Sequence, residues 1–224
     1  LSYQPGTTAR CTVTPSSAGN LVSSYFYFRS LGYNDIAFVP GGPSQWDQAS
    51  LDTFSEQFET IGDLLMDELR SGNPVRVKGI DDYAAAVARD HKRSSHACGA
   101  GRGLLLVDIH GDLWPCHRWN KSNEQEWRIG SIYEQFNEAA RAPLNVSSFT
   151  DHLKNNCSVC VANSMCSGGC PAENLEETGS VYQKHPNACA YTRVWAKVGR
   201  YLFTALNYEN ALYSEGFVTF QQRI

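Results

Sequence analysis

Seven of the eight cysteines in this 224-residue chain fall between Cys98 and Cys189. Four of them are crowded into Cys157-Ser-Val-Cys160-Val-Ala-Asn-Ser-Met-Cys166-Ser-Gly-Gly-Cys170. In order the pattern is Cys98, Gly111-x4-Cys116, C-x2-C-x5-C-x3-C, then Cys189. Thiolates are soft ligands that select zinc, copper(I) or iron–sulfur clusters over hard cations. A C-x2-C pair puts two sulfurs on one metal centre, and Gly168-Gly169 lets the backbone fold tightly round it. That pair alone reads as a structural zinc knuckle. The continuation to four cysteines, with a distant cysteine on each side, fits no zinc-ribbon spacing and points to iron–sulfur. Disulfides are the third reading, at home in small secreted domains with little core.

Composition bears on that choice. With 42% hydrophobic and 19% charged residues, the chain is an ordinary globular protein that can bury one or two cores without cross-links. A net charge of −4 with no dominant basic block gives no nucleic-acid partner, since the Arg89–Arg93 stretch is short and holds Asp90. No apolar run is long enough for a membrane span. Leu1 opens a segment with neither initiator Met nor signal peptide, so the expectation is the C-terminal part of a longer cytoplasmic polypeptide. In that compartment clustered thiolates are metal ligands, and the Asn145-Val-Ser147 sequon is a chance match.

The elements that must position these cysteines come in two styles. Arg10–Thr14 reads as a strand, Leu21–Leu31 as a helix with Leu21, Tyr25, Phe28 and Leu31 at helical spacing, and Asp35–Val39 as a second strand. This is a βαβ unit, which requires a parallel pair. Ser50 is the expected cap of a helix to about Ser71, with Leu51, Phe54, Phe58, Ile61, Leu65 and Leu69 as its apolar stripe. A short helix at Asp81–Arg89 precedes the cysteine region. There Leu104–Asp108 and Leu113–Cys116 form a hairpin round His110-Gly-Asp112, Arg128–Ile132 starts another short element, and helices follow near 133–141 and 147–155. The four-cysteine run reads as loop, and a long helix after Cys189 carries Val194, Val198, Tyr201 and Leu202. Trp114, Trp119 and Trp127 are expected to pack the cluster region. Cys11, outside the pattern, is expected to be a core thiol. Gly99–Gly103 imitates a nucleotide-binding glycine loop without the strand and helix that such a loop joins.

Cys98-Gly-Ala-Gly101, Gly111-x4-Cys116-His-Arg118, Ile129-Gly-Ser-Ile132, the C-x2-C-x5-C-x3-C run and Cys189 together resemble the SPASM domain of radical S-adenosylmethionine (SAM) enzymes. The resemblance covers about half of the chain, and its seven-cysteine order is highly specific. It implies an α/β fold: the C-terminal strands and helices of a partial (β/α)6 TIM barrel over residues 1–90, then a small α+β SPASM domain over 91–224 that includes the C-terminal helix. It also implies two auxiliary 4Fe-4S clusters. Cys98, Cys116 and Cys170 would bind the first, and Cys157, Cys160, Cys166 and Cys189 the second. Ile36–Pro40 would match a barrel strand whose backbone contacts SAM, and Arg10 is a candidate contact to SAM or substrate, with a salt bridge as its plain alternative.

Three departures from the family qualify the expectation. Sulfatase-maturing members place a further cluster cysteine where this chain has Leu104. They also place an aspartate, proposed as proton acceptor, where this chain has His117. That histidine either packs the cluster loop or acts as a base or peptide contact. The C-x3-C-x2-C motif that holds the SAM-binding cluster is absent from the sequence. The expected function is therefore the auxiliary-cluster portion of a radical SAM maturase acting on a peptide or protein, with SAM and a third 4Fe-4S cluster in the full enzyme. A small electron donor such as flavodoxin or ferredoxin would serve it. The alternatives are a stand-alone iron–sulfur electron carrier or binding module, a sulfatase formylglycine maturase, and a double-zinc structural domain.

Overall fold

The computed structural model describes residues 6–88, 99–119 and 125–208. The chain divides into two compact units, one formed by Leu1–Lys92 with Pro186–Ile224 and the other by Arg93–His185.

The first unit is a parallel α/β layer. Strand β1 (Ala9–Val13) pairs with β2 (Asp35–Pro40) over its whole length, from Ala9 opposite Ile36 to Val13 opposite Pro40. Helix α1 (Leu21–Ser30) is the crossover between them. A 3-10 turn at Pro15–Asn20 leads into it, capped reciprocally by Thr14 and Ser17. The expected βαβ unit is thus present. Ile36, Ala37 and Phe38 are all buried, the continuous apolar run of a parallel strand covered on both faces. A two-residue strand, β3 (Arg76–Val77), adds parallel to β2 and gives the order β1-β2-β3.

Helix α2 (Gln48–Arg70) buries Leu51, Phe54, Phe58, Ile61 and Leu65 against this sheet's core, as its stripe requires. Its cap is Asp47 rather than Ser50. The Asp47 carboxylate accepts from the Ser50 backbone N–H at 2.8 Å, and the Ser50 hydroxyl accepts from the Asp47 backbone N–H at 3.1 Å, so Ser50 closes a capping box from the third helical position. Helix α3 (Ile80–Ala88) follows β3.

Helix α7 (Pro186–Tyr208) packs on α2 and α3 and contributes Ala188, Tyr191, Val198 and Leu202 to the same core. The sequence division groups this helix with the cysteine region; its packing is with the parallel layer. It starts at Pro186, a residue suited to the first helical position, so Cys189 lies in its first turn rather than before it. Tyr201, expected on the apolar stripe, is exposed. The approach to α3 is close: a Cβ added at Gly199 would lie 2.8 Å from the Ile80 carbonyl oxygen.

The second unit holds an antiparallel sheet of three short strands, β4 (Leu106–Val107), β5 (Asp112–Trp114) and β6 (Gly130–Ser131), in that order. Asp108 fixes the β4–β5 turn. One carboxylate oxygen accepts from the backbone N–H of His110 and Asp112, and the other accepts from the Trp114 indole at 2.9 Å. Helices α4 (Glu138–Arg141), α5 (Val146–Cys157) and α6 (Pro171–Thr178) complete it. Its core gathers Trp114, Trp119, Trp127, Leu144, Ala172 and Val181, with the rings of Trp119 and Trp127 stacked at 5.4 Å. The three tryptophans pack where the sequence puts them. Cys11 is half-buried against the first unit's core.

Candidate metal centre

Cys116 follows β5 after Pro115 and is buried, while Cys170 packs half-buried against the same core at the N-cap of α6. One residue joins them. The Arg118 backbone N–H points at the Cys116 sulfur at 3.4 Å, and its guanidinium Nη1 lies 3.9 Å from the Cys170 sulfur. The same guanidinium pairs with Glu173 at 3.5 Å and Glu176 at 2.8 Å on α6. Burial works against the Arg118 charge, but Cys170, Glu176 and Glu173 outweigh it and hold its pKa above the ordinary arginine value.

The Cys170 loop is fixed from below by Asn174, a buried residue. Its side-chain amide donates to the Gly168 carbonyl at 2.8 Å and to the Val181 carbonyl at 3.0 Å, while its backbone N–H donates to the Cys170 carbonyl at 2.8 Å. Gly168 and Gly169 both have positive φ, at 93° and 85°. The positive φ at Gly169 favours glycine, and a Cβ there would also press on the Asn174 side chain at 3.2 Å.

The C-x2-C pair is not purely loop. Cys157 is the last residue of α5, and its carbonyl accepts from the Cys160 backbone N–H at 3.1 Å. The chain then curls through Cys160 to Asn163 and Ala162 to Cys166, at 2.9 and 2.8 Å. The Lys184 ammonium lies 3.9 Å from the Cys166 sulfur. Cys11, Cys160, Cys166 and Cys170 are free thiols.

Of the other expected site residues, Cys98 lies outside the described residues, and Cys189 belongs to the first unit. His117 is exposed in the 3-10 turn His117–Trp119 beside Cys116. Arg10 is exposed on β1, and Leu104 is 47% exposed, with no ligating atom to offer a metal. Among the described residues, no three His, Cys, Asp or Glu side chains converge on one point. The donor set nonetheless suits an anionic iron–sulfur group. Cations stand beside two of its sulfurs, and the indole N–H groups of Trp119 and Trp127 are buried without an acceptor in the core that contains Cys116. Hydrogen bonds and charge at the sulfurs are how proteins tune such clusters. Arg118 and Asn174 are legible only after folding, because each acts through contacts with other loops and helices.

No family model and no curated protein sequence matches the chain. Solved structures do. A structure of hexahistidine-tagged anSMEcpe with bound AdoMet matches 93% of this chain and 56% of its own, at 15% identity and a TM-score of 0.62. A second, native anSMEcpe with AdoMet and a Cp18Cys peptide, matches 90% of this chain and 58% of its own, at 16% identity and a TM-score of 0.62. The two proteins share a fold. A third structure, of anSMEcpe with AdoMet and a Kp18Cys peptide, agrees at 16% identity and a TM-score of 0.58 over 88% of this chain and 57% of its own. anSMEcpe is an anaerobic sulfatase-maturating enzyme. The present chain spans little more than half its length.

Proposed function

We propose that this chain is the auxiliary iron–sulfur portion of a radical SAM/SPASM maturase that modifies a peptide or protein. The observation that carries the reading is the anSMEcpe fold over 93% of the chain, together with the seven-cysteine order. Cys98, Cys116 and Cys170 would hold one 4Fe-4S cluster, and Cys157, Cys160, Cys166 and Cys189 the other. When bound, such clusters supply a place for an electron released as a substrate radical becomes product. The chain's own residues do the rest. Asn174 and the Gly168-Gly169 turn fix Cys170, and Arg118 ties the Cys116 loop to α6. His117, exposed beside Cys116, is the group we assign to contact the peptide or take a proton from it.

The substrate is read as a peptide because anSMEcpe is crystallised with peptides. Formylglycine formation is the weaker reading, since His117 stands where sulfatase maturases carry their aspartate. SAM, contacted from the β1–β2 sheet with Arg10 as candidate, and a third cluster belong to an N-terminal half that would carry C-x3-C-x2-C. A flavodoxin or ferredoxin in the cytoplasm would supply electrons.

Anaerobic reconstitution with iron and sulfide tests this reading. About eight irons and eight sulfides per chain are expected for two 4Fe-4S clusters. Purification with two tightly held zincs and no iron uptake would overturn it.

A further inference from the structure

We propose that Arg118 is a positioning residue for the cluster at Cys116 and Cys170, its guanidinium serving as the fixed positive charge against that cluster's sulfurs. The inference rests on the iron–sulfur reading above and goes beyond its ligand set. Arg118 is the residue whose main chain reaches one of these sulfurs, at 3.4 Å, and whose side chain reaches the other, at 3.9 Å. Glu173 and Glu176 hold the guanidinium from the far side, at 3.5 and 2.8 Å. The planar fork of arginine suits this role, because it presents several N–H donors at once and keeps its charge under all working conditions. The two carboxylates set its orientation and temper its charge. Lys184 brings a second cation to the cysteine run, its ammonium 3.9 Å from the Cys166 sulfur.

The consequence is electrostatic. Reduction of a cluster by one electron, supplied in a titration by dithionite, adds a negative charge beside Arg118. A cation there stabilises the reduced form and raises the potential, while the carboxylates behind it lower the potential. Removing the guanidinium therefore moves one of the two midpoint potentials to a more negative value. Removing the carboxylates moves the same potential the other way.

The test uses the full chain, reconstituted anaerobically, with iron and sulfide counts and midpoint potentials followed by electron paramagnetic resonance. Arg118→Gln is expected to shift one potential negative and leave the other in place. Arg118→Lys is expected to restore most of the shift, and the paired change Glu173→Gln with Glu176→Gln to shift the same potential positive. If Arg118→Gln loses one cluster, the proposal stands provided Arg118→Lys and the paired glutamine variant both retain it. Unchanged potentials in fully loaded Arg118→Gln would overturn the proposal. So would equal cluster loss in Arg118→Gln and the paired glutamine variant, because a merely structural ion pair fails from either side. Failure of the wild-type chain to take up about eight irons would instead overturn the iron–sulfur reading itself.

Discussion

Asp81 sits at the start of α3 with its side chain buried and one carboxylate oxygen without a hydrogen-bond partner. Burial pushes its carboxyl well above the ordinary value of 3.8; Arg76 opposes this, while Asp82 and Asp35 reinforce it. Arg76 is itself shared, at 3.5 Å from Asp35 and 3.9 Å from Asp82, so it does not neutralise Asp81 alone. The folded chain therefore holds a proton on Asp81 that the unfolded chain releases. Between 3.8 and the raised folded value, stability falls as pH rises; below 3.8 the cost is absent, and above the folded value it is complete. Asp81→Asn, which is neutral at every pH, should be more stable than wild type at neutral pH, and the two should converge in acid. Urea midpoints across the range test this, and a gap independent of pH would refute it. None of this is legible in the sequence, where Asp81 reads as an acidic residue in a first helical turn. Asp82 is its neighbour in the chain, but only the fold brings Arg76 and Asp35 to act on it.

Among the elements, those with a long periodic signal are legible in the sequence and those defined by a few contacts are not. The α2 stripe and the apolar run of β2 announce their burial, because many residues repeat the same message. β3 has two residues, too few for any alternation, and exists because β2 offers an open edge. The start of α2 is ambiguous for a related reason: Asp47 and Ser50 both have capping side chains, and the backbone of Asp47, not Ser50, is extended. In the same way Cys157 reads as loop by composition, although α5 carries it as its last residue. Helix contact also runs against local propensity. Alanine at Gly199 would gain about 1 kcal/mol of helix propensity. The added methyl, however, would meet the Ile80 carbonyl at 2.8 Å and the Tyr83 Cβ at 2.8 Å. Backbone cannot step aside as a side chain can, so overpacking costing about 1–3 kcal/mol should win. Gly199→Ala is expected to melt below wild type; an equal or higher melting temperature would show that α3 and α7 can separate cheaply.

For the whole molecule, the proposed interleaving of ligands makes a prediction that a single crowded site would not. Cys160→Ala should lose one cluster and keep the other, and Cys170→Ala should do the reverse, each retaining about four irons with a different surviving spectrum. Loss of all iron from either variant would favour one shared site. The cysteine order is readable from spacing alone, since ligand type and sequence distance survive in the sequence. What Arg118 and Asn174 do cannot be read that way.

The first unit is assembled from two stretches of chain separated by the whole of Arg93–His185. Lys197 of α7 meets Glu59 of α2 across 138 positions, at 2.6 Å. During synthesis, the face of α2 that packs on α7 stays uncovered until α7 has emerged. By then the Cys157–Cys170 run has already been exposed to the cell. Pairings this distant in sequence close late and slowly. A nascent chain of this kind therefore presents its thiols to iron delivery, to oxidants and to chaperones before its oldest core has closed.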